Sequence, residues 1–385
     1  MNIPRQIPFA RPWITDDDRK AVMEVLEGYI LTHGPQCKEF EAEFSAFMGQ
    51  GAHCVTVSSC MAALHLFYLQ FGIGAGDEVI VPAQTHSATA HAVEWVGAKP
   101  VFVDCDPCTG NLTPEGIASA ITPRTKAMCV LHFAGIPCDM PAIMALAERR
   151  GLKVVEDCAI ALGARYEGRH VGLFGDAGCF SFYPVKHMTT GEGGMFVSRH
   201  EPVAQAVGRL RAFGVDRTHS ERLLPGMYDV PSLGLNYRMS EMQAALGRSQ
   251  LRRMKDVQAK RAELFGQYRR LLGVMKGVRL VDSTDPKAVS GHYCVSVVFE
   301  PPYMAKREEI VRRLNTAGIG TSIYYPQPVP RMTFYKKKYS IEPSTFSNAS
   351  QLSDHSVALP LGMHLENADV DFIVAALSDI LKSLS

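Results

Sequence analysis

The chain has 385 residues, more than one ordinary hydrophobic core holds, which predicts two domains or one large and one small domain. Hydrophobic residues make up 46% of the chain and charged residues 21%, proportions typical of a soluble globular protein. Forty basic and 39 acidic residues leave a formal net charge of +1, which gives no electrostatic reason to expect a nucleic-acid or anionic-membrane partner.

The first residues, MNIPRQIPFARPW, lack the long apolar core and the small-residue cleavage site of a secretory signal. No apolar run reaches the roughly 18 residues that a membrane span needs. Ten cysteines are scattered along the chain, as the buried free thiols of cytosolic proteins are. Cys105 and Cys108 form a lone C-x-x-C without the second ligand pair of a zinc site. We therefore expect a cytoplasmic protein without a metal site.

Strand and helix patterns alternate between residue 53 and about residue 200. The predicted strands cover residues 53–59, 77–83, 99–105, 125–133, 152–158, 177–183 and 193–198. The predicted helices cover residues 61–72 and 87–97, begin after Thr113, and run from Asp139 to Arg150. Most of these strands are near-continuous apolar runs, which are typical of strands covered on both faces. The alternation predicts an α/β fold with a mainly parallel sheet.

The remaining third of the chain has a different order of elements. Ser240 and Gln243 resemble a capping box, which predicts a long helical run to about Gly273. The later predictions are a strand at 292–299, a helix at 306–317, a strand at 320–325 and a final helix from about residue 367. We expect a large domain over residues 1–250, including an N-terminal segment. Residues 251–385 should then form a linking helix and a smaller α+β domain.

Three polar features lie at the ends of predicted strands, and ligands of parallel sheets bind at the carboxyl ends of strands. Asp157 is either a cap or ion-pair partner, or a carboxylate that holds a cation in a cleft, because an unpaired buried charge is very costly. Lys186 is either a surface lysine or a nucleophilic amine, since partial burial lowers a lysine pKa. The Ser58–Met61 turn is either an ordinary helix cap or a phosphate site.

Pyridoxal phosphate is one cofactor that needs all three features. It requires a lysine for a Schiff base and a charged partner for its pyridine nitrogen. An aspartate keeps that nitrogen protonated, and a helix N-terminus suits the phosphate. Spacing alone does not establish this assignment.

The segment VVEDCAIALGARYEGRHVGLFGDAGCFSFYPVKHMTTGEGGMFVS (154–198) resembles the DegT/DnrJ/StrS family of nucleotide-sugar aminotransferases. So do GDEVIVPAQTHSATAHAVEWVGAKPVFVD, CDMPAIMALAERRGLKVVED, LGLNYRMSEMQAALG and GIGTSIYYPQP. The resemblance runs from about residue 8 to the end of the chain. It implies a pyridoxal-phosphate enzyme of the aspartate-aminotransferase fold (fold type I), with a three-layer α/β/α large domain and a smaller α+β C-terminal domain.

The resemblance also implies roles for individual residues. Lys186 would bond to the cofactor as a Schiff base and move protons during transamination. Asp157 would pair with the pyridine nitrogen. His86 falls where the family stacks an aromatic ring on the cofactor.

The phosphate of the cofactor would be held by a second group of residues. Ser181 would bind it together with the backbone at Cys60 and Met61. Asn236 would reach the phosphate of the neighbouring subunit, so the enzyme would be a homodimer with shared active sites.

Three positions depart from the family pattern. Cys60 and Met61 replace the usual Gly-Thr pair, which removes one hydroxyl contact to the phosphate. Ile160 stands where many members carry Gln or His near the phenolic oxygen of the cofactor, and it cannot donate that hydrogen bond. His86 replaces Phe, Tyr or Trp, which is a milder change. None of these changes removes Lys186 or Asp157.

The implied reaction moves an amino group from L-glutamate to a nucleotide-linked keto-sugar by a ping-pong mechanism. The position would be carbon 4 of a 4-keto-6-deoxy sugar, as in the deoxyamino sugars of lipopolysaccharide O-antigens. Some relatives carry histidine instead of the lysine and act as dehydratases, so Lys186 favours transamination. Two alternatives remain open here: amination of a keto-cyclitol, and a cofactor-binding sensor without turnover.

Overall fold

The computed structural model describes residues 6–216, 224 and 226–384. Within these residues the strands are β1 His53–Val57, β2 Glu78–Pro82, β3 Lys99–Val103, β4 Thr125–Leu131, β5 Lys153–Asp157, β6 Arg165–Tyr166, β7 Arg169–His170, β8 Ala177–Ser181, β9 Gly194–Ser198, β10 Val278–Leu280, β11 Ala288–Val289, β12 Val295–Phe299 and β13 Ser356–Leu359. The first seven predicted strands are therefore confirmed, and each is slightly shorter than predicted.

Helices cover both faces of the main sheet and much of the C-terminal region. They are α1 Asp16–Glu27, α2 Pro35–Met48, α3 Cys60–Gln70, α4 Ser87–Trp95, α5 Pro114–Ala120, α6 Met140–Arg150, α7 Glu201–Leu210, α8 Glu241–Leu251, α9 Met254–Leu272, α10 Arg307–Thr316, α11 Thr333–Tyr339, α12 Ser347–His355 and α13 Asn367–Ser383. Their starts follow the local sequence: the side chains of Thr113, Asp139 and Ser240 accept hydrogen bonds from the first turns of α5, α6 and α8. None of the helices in the described part of the chain is long and apolar enough to cross a membrane.

The main sheet has seven strands in the order β1-β9-β8-β5-β4-β2-β3. All neighbouring pairs are parallel except those that involve β9, which runs opposite to β1 and β8. The sheet is covered on both faces: Val79 and Val81 of β2 pack into one core cluster with α3 and α4, and Ile80 between them packs into another with α5 and α6. The predicted α/β class with a mainly parallel sheet is confirmed.

The C-terminal region has an antiparallel three-stranded sheet in the order β10-β12-β13. Helix α9 connects this region to the main sheet. Its first half places Met254 and Val257 in a core cluster with α2 and β9, and its second half places Leu264 and Tyr268 in the core of the C-terminal sheet. The division at residue 250 stays a prediction.

Two details of the C-terminal prediction are wrong. The helical run from Ser240 to Gly273 is broken between α8 and α9 at Arg252 and Arg253. Residues 320–325 do not form a strand, because Ser322 makes only an isolated bridge to Ala358 of β13. The tyrosines at 324 and 325 instead pack into an apolar cluster beneath the carboxyl ends of the main strands.

Glu156, the residue before the end of β5, organises the turn that follows β7. Its carboxylate accepts hydrogen bonds from the backbone N–H groups of Gly172, Phe174 and Gly175 at 2.7–2.8 Å and from His132 Nε2 at 3.0 Å. Glu156 and His132 are both fully buried. Cys158 also lies near this pair, but the carboxylate oxygens and both ring nitrogens already have partners, since His132 Nδ1 accepts from the Cys138 N–H.

We predict that Glu156→Ala destabilises the fold by about 3–5 kcal/mol, because it leaves His132 and three buried N–H groups without their acceptor. The free energy of unfolding from urea titration measures this. Glu24→Gln, which alters an exposed pair with Lys20, should leave the unfolding midpoint unchanged. Equal midpoints for wild type and Glu156→Ala would contradict the structural role.

Candidate active site

Asp157 ends β5 with its carboxylate buried, since the residue is only 4% exposed. Its Oδ2 accepts a hydrogen bond from Thr89 Oγ1 at 2.8 Å, and its Oδ1 accepts one from the Ala159 N–H at 3.1 Å. The Cys60 thiol also donates to Oδ1, at 3.7 Å. These partners are all neutral, so the carboxylate keeps its charge available to a further cationic group.

Lys186 lies in the loop between β8 and β9 and is half-buried. Its Nζ is 5.0 Å from the centroid of the Tyr293 ring. Burial lowers the pKa of the Lys186 amine, and the nearby carboxylate of Asp157 opposes this shift without cancelling it. The amine is therefore more often neutral, and more nucleophilic, than that of an exposed lysine.

The turn from Ser58 to Met61 leads directly from β1 into α3. Ser59 caps the helix by accepting a hydrogen bond from the Ala62 N–H at 3.1 Å. The N–H groups of Cys60 and Met61 have no acceptor among the described residues. Two unsatisfied N–H groups at the positive end of a helix form a site for an oxyanion.

Gly194 at the start of β9 allows this turn to lie close to Ser181. It pairs with Val57 on one side and with Ser181 on the other. A Cβ atom at Gly194 would lie 2.7 Å from the Cys60 nitrogen, closer than real Cβ contacts. Because residue 194 is a glycine, the end of β8, which carries Ser181, and the N-terminus of α3 can lie close together at one end of the sheet.

His86 and Asn236 differ in how they relate to this cluster. His86 caps α4 through Nδ1, which accepts from the Ala88 N–H at 3.1 Å, and its ring centroid is 5.9 Å from that of Tyr325. The imidazole also interacts electrostatically with Lys186 and Asp157. Asn236 is exposed and pairs with Ala212 in an isolated bridge, and within the described residues no hydrogen bond joins its side chain to the cluster.

Three residues of the cluster were not predicted from the sequence as site residues. Thr89 in the first turn of α4 orients Asp157, and its own hydroxyl is 2.7 Å from that of Thr85. Tyr293 lies under the Lys186 amine, and Tyr325 is buried beside Asp157 and Cys60. Burial raises the pKa of the Tyr325 hydroxyl, so this group stays protonated and can donate a hydrogen bond. Two of the three have a sequence signal: Thr89 follows a buried strand and opens a helix, and Tyr325 lies in the SIYYPQP segment, where relatives contact substrate or where the side chain could equally pack in a strand.

The model of the DegT/DnrJ/EryC1/StrS aminotransferase family matches residues 12–378. The chain belongs to this family. It is a pyridoxal-phosphate-dependent aminotransferase, and the resemblance drawn from its motifs is confirmed.

The names of two of the similar proteins refer to polysaccharide biosynthesis and to a sugar aminotransferase. The chain is 38% identical over 380 residues to the spore coat polysaccharide biosynthesis protein SpsC of Bacillus subtilis, covering 98% of this chain and 97% of SpsC. It is similar to DesV of S. venezuelae, solved in complex with a ketimine intermediate, at 32% identity and a TM-score of 0.88 over 97% and 98% of the two chains. It is also similar to Spr1654 of Streptococcus pneumoniae, known in PMP and PLP forms; the PMP form has a TM-score of 0.93 and 27% identity over 99% and 100% of the chains.

The donor set of this family member fits pyridoxal phosphate. Asp157 supplies a buried carboxylate at the end of β5. Lys186 supplies an amine with a lowered pKa in the loop after the neighbouring strand β8. The unsatisfied N–H groups of Cys60 and Met61 lie near Ser181 at the same end of the sheet. These are the charge, the nucleophile and the anion site that the cofactor requires.

The positions that depart from the family pattern are accommodated by the structure. Burial raises the pKa of the Cys60 thiol well above its usual value, so Cys60 acts as a neutral donor to Asp157. Ile160 is 1% exposed and packs in an apolar cluster with Tyr293 and Tyr325. The tyrosine hydroxyls of this cluster, rather than residue 160, are the available hydrogen-bond donors on this side.

The lowered pKa of Lys186 predicts that in the cofactor-free protein this amine is acylated by a small anhydride at a lower pH than an ordinary lysine, whose pKa is about 10.4. Asp157→Asn should lower the pH at which acylation of Lys186 is half-maximal further, because it removes the carboxylate that favours the ammonium form. Mass spectrometry of the Lys186 peptide at a series of pH values measures this, with the exposed Lys276 normalising reagent concentration. Asp139→Asn, which replaces one good helix cap by another, serves as the control. A higher midpoint in Asp157→Asn would contradict the assigned geometry.

Proposed function

We propose that this enzyme transfers the amino group of L-glutamate to carbon 4 of a nucleotide-linked 4-keto-6-deoxy sugar. The observation that carries the proposal is the buried Lys186 amine beside Asp157 in a chain of the sugar aminotransferase family. SpsC supports a role in making an amino sugar for a polysaccharide.

The ten cysteines are all free thiols, which is typical of a reducing compartment, and we place the enzyme in the cytoplasm.

Each residue of the cluster has a proposed part in holding the cofactor. Asp157 would hold the protonated pyridine nitrogen, while Thr89 fixes the carboxylate in position. Ser181 and the N–H groups of Cys60 and Met61 would bind the phosphate, and His86 would contact the cofactor.

Bound pyridoxal phosphate supplies an electron sink at the carbon that exchanges the amino group. Lys186 would hold the cofactor in the resting enzyme. Once the donor amine has taken its place, its Nζ would be free to hold and move a proton as a general acid–base. The Tyr293 ring, which lies beneath the Lys186 amine, limits the access of water to that amine.

The first half-reaction has a direct optical test. The purified holoenzyme should show a yellow absorption band that L-glutamate converts to the near-ultraviolet band of the aminated cofactor. Lys186→Arg keeps the positive charge but cannot bond to the aldehyde, so turnover should fall by at least about 10²- to 10⁴-fold. Lys276→Arg, at an exposed lysine, is the matched control. Unchanged turnover in Lys186→Arg would refute every mechanism that uses this amine.

The acceptor is tested with the enzyme already in its aminated form. A nucleotide-linked 4-keto-6-deoxy sugar should restore the yellow band, and scyllo-inosose should not. Restoration by scyllo-inosose alone would make the enzyme a keto-cyclitol aminotransferase instead.

We also propose that the enzyme is a homodimer with shared active sites. Two exposed apolar stretches support this: Tyr29 is 94% exposed after α1, and Leu233 is 92% exposed near the site residue Asn236. Met23, Leu26 and Met227 add to these stretches with exposures of 54%, 49% and 62%. Apolar side chains grouped in this way are typical of a surface that another chain covers.

Shared sites predict that two inactive variants complement each other. Lys186→Ala lacks the catalytic amine, and Asn236→Asp places a negative charge where the neighbour's phosphate would bind. Differently tagged chains that are co-expressed should recover about a quarter of wild-type activity, because about half of random dimers are mixed and each contains one intact site. Activity in the mixed dimer no higher than in either variant would show that Asn236 does not act across the interface.

A further inference from the structure

His187 directly follows Lys186 and is buried, with 7% of its surface exposed. Its Nε2 lies 2.7 Å from the carbonyl oxygen of Gly291. A carbonyl oxygen only accepts hydrogen bonds, so Nε2 carries the proton and donates. Burial and, next, the cation of Arg261 hold the pKa of the His187 imidazole well below its usual value. The ring therefore stays neutral and uses its one N–H for this bond.

The hydrogen bond of His187 fastens the loop between β8 and β9 to a distant part of the chain. Its two partners are 104 positions apart, and the acceptor lies in the Tyr293 segment (residues 291–293), which leads into β12. Two residues after His187, the Thr189 N–H donates to Gln250 in α8 at 2.9 Å. The loop is therefore held at two places, and the bond at His187 is the one that reaches the Tyr293 segment.

The Tyr293 segment has anchors of its own. The Gly291 N–H donates to the Gly135 carbonyl at 2.9 Å. Gly135 has a φ of +88°, and a Cβ atom there would lie 3.1 Å from the His292 nitrogen, so a glycine lets the turn after β4 approach this closely. Arg261 in α9 donates from Nη1 to the carbonyl oxygens of His292 and Tyr293 at 3.1 and 3.0 Å. The segment is thus fixed to the main sheet and to α9 without the help of His187.

The Tyr293 ring contacts both consecutive side chains of the loop. Its centroid lies 5.0 Å from the Lys186 Nζ and 5.7 Å from the centroid of the His187 ring. A loop that moved away from the Tyr293 segment would expose the Lys186 amine to water. The hydrogen bond between His187 and Gly291 opposes this movement at the residue next to the lysine.

We propose that His187 is a positioning residue for the amino transfer. Its hydrogen bond to the Gly291 carbonyl holds the loop against the Tyr293 segment, and this keeps the Lys186 amine buried and in a fixed place. The role of His187 rests on the proposed use of Lys186 in the reaction.

His187→Leu fills much of the same space but removes the donor. In the cofactor-free protein, the pH at which acylation of Lys186 is half-maximal should rise by about 0.5–1 unit, because water reaches the amine and less of the burial effect remains. His187→Gln carries an amide nitrogen that can take the place of Nε2, so it should keep the wild-type value. Mass spectrometry of the Lys186 peptide over a pH series measures this, with the exposed Lys276 as the internal reference.

The holoenzyme provides a second readout. His187→Leu should lower kcat by about 10- to 100-fold, because small displacements of a reacting group are costly, and it should leave KM for L-glutamate nearly unchanged. His187→Gln should recover most of kcat. His355→Leu removes a similar hydrogen bond, to the Met304 carbonyl in the C-terminal region, and is the matched control. It should change neither kcat nor the acylation profile of Lys186, even if it lowers the melting temperature.

A double variant tests whether His187 acts through the Tyr293 segment. In a Tyr293→Leu background, His187→Leu should cause a much smaller further shift of the Lys186 acylation profile, because residues that act through one contact are not additive. Fully additive shifts would overturn the positioning role. So would an unchanged profile in His187→Leu, or equal shifts in His187→Leu and His355→Leu.

The outcomes separate the role of His187 from the proposed function. If Lys186→Arg abolishes turnover while His187→Leu changes neither the acylation profile nor kcat, the positioning role is wrong and the function stands. If His187→Leu raises the pH of half-maximal acylation while Lys186→Arg keeps full turnover, His187 does position the amine, and the proposed use of that amine in catalysis is wrong.

Discussion

The burial of one carboxylate at the end of β5 governs the arrangement of the site. An ionised group in that position needs compensation, and its hydrogen-bond donors among the described residues are neutral: the Thr89 hydroxyl, the Ala159 N–H and the Cys60 thiol. These bonds satisfy the oxygens of Asp157 without cancelling its charge. The uncompensated charge is then available to a protonated ring nitrogen, and at longer range it restrains the downward shift of the Lys186 pKa.

The neighbouring carboxylate shows how position within a strand separates structure from chemistry. Successive side chains of a strand point to opposite faces, so Glu156 and Asp157 lie on different sides of the sheet. Glu156 is saturated by three backbone N–H groups and by His132, which leaves it no capacity for a ligand. Two adjacent buried acidic residues therefore have opposite uses, and hydrogen-bond saturation distinguishes them.

The sequence was most informative where one physical pattern dominated. The strands of the main sheet were predicted because consecutive residues such as Val79 and Ile80, which point to opposite faces of the sheet, are both apolar. The strand predicted at 320–325 is absent because Tyr324 and Tyr325 fill the apolar cluster around the site, and side-chain propensity does not report such packing. Asp157 and Lys186 were found because Asp157 ends one predicted strand and Lys186 follows another. Tyr293 comes from a distant part of the chain, and no local pattern could place it under the amine.

The departures from the family pattern affect neutral contacts and leave the charged groups in place. On the proposed assignment of the site, Met61 in place of threonine would cost one hydrogen bond to the phosphate, and Ile160 one to the cofactor ring. A single such bond contributes about 0.5–1.5 kcal/mol net. A loss of that size would weaken cofactor binding by about two- to tenfold for each bond. On the same assignment, an ion pair between Asp157 and a protonated ring nitrogen and a covalent bond to Lys186 would stabilise the bound cofactor more than either hydrogen bond. The proposed chemistry therefore depends on Asp157 and Lys186 more than on the neutral positions 61 and 160.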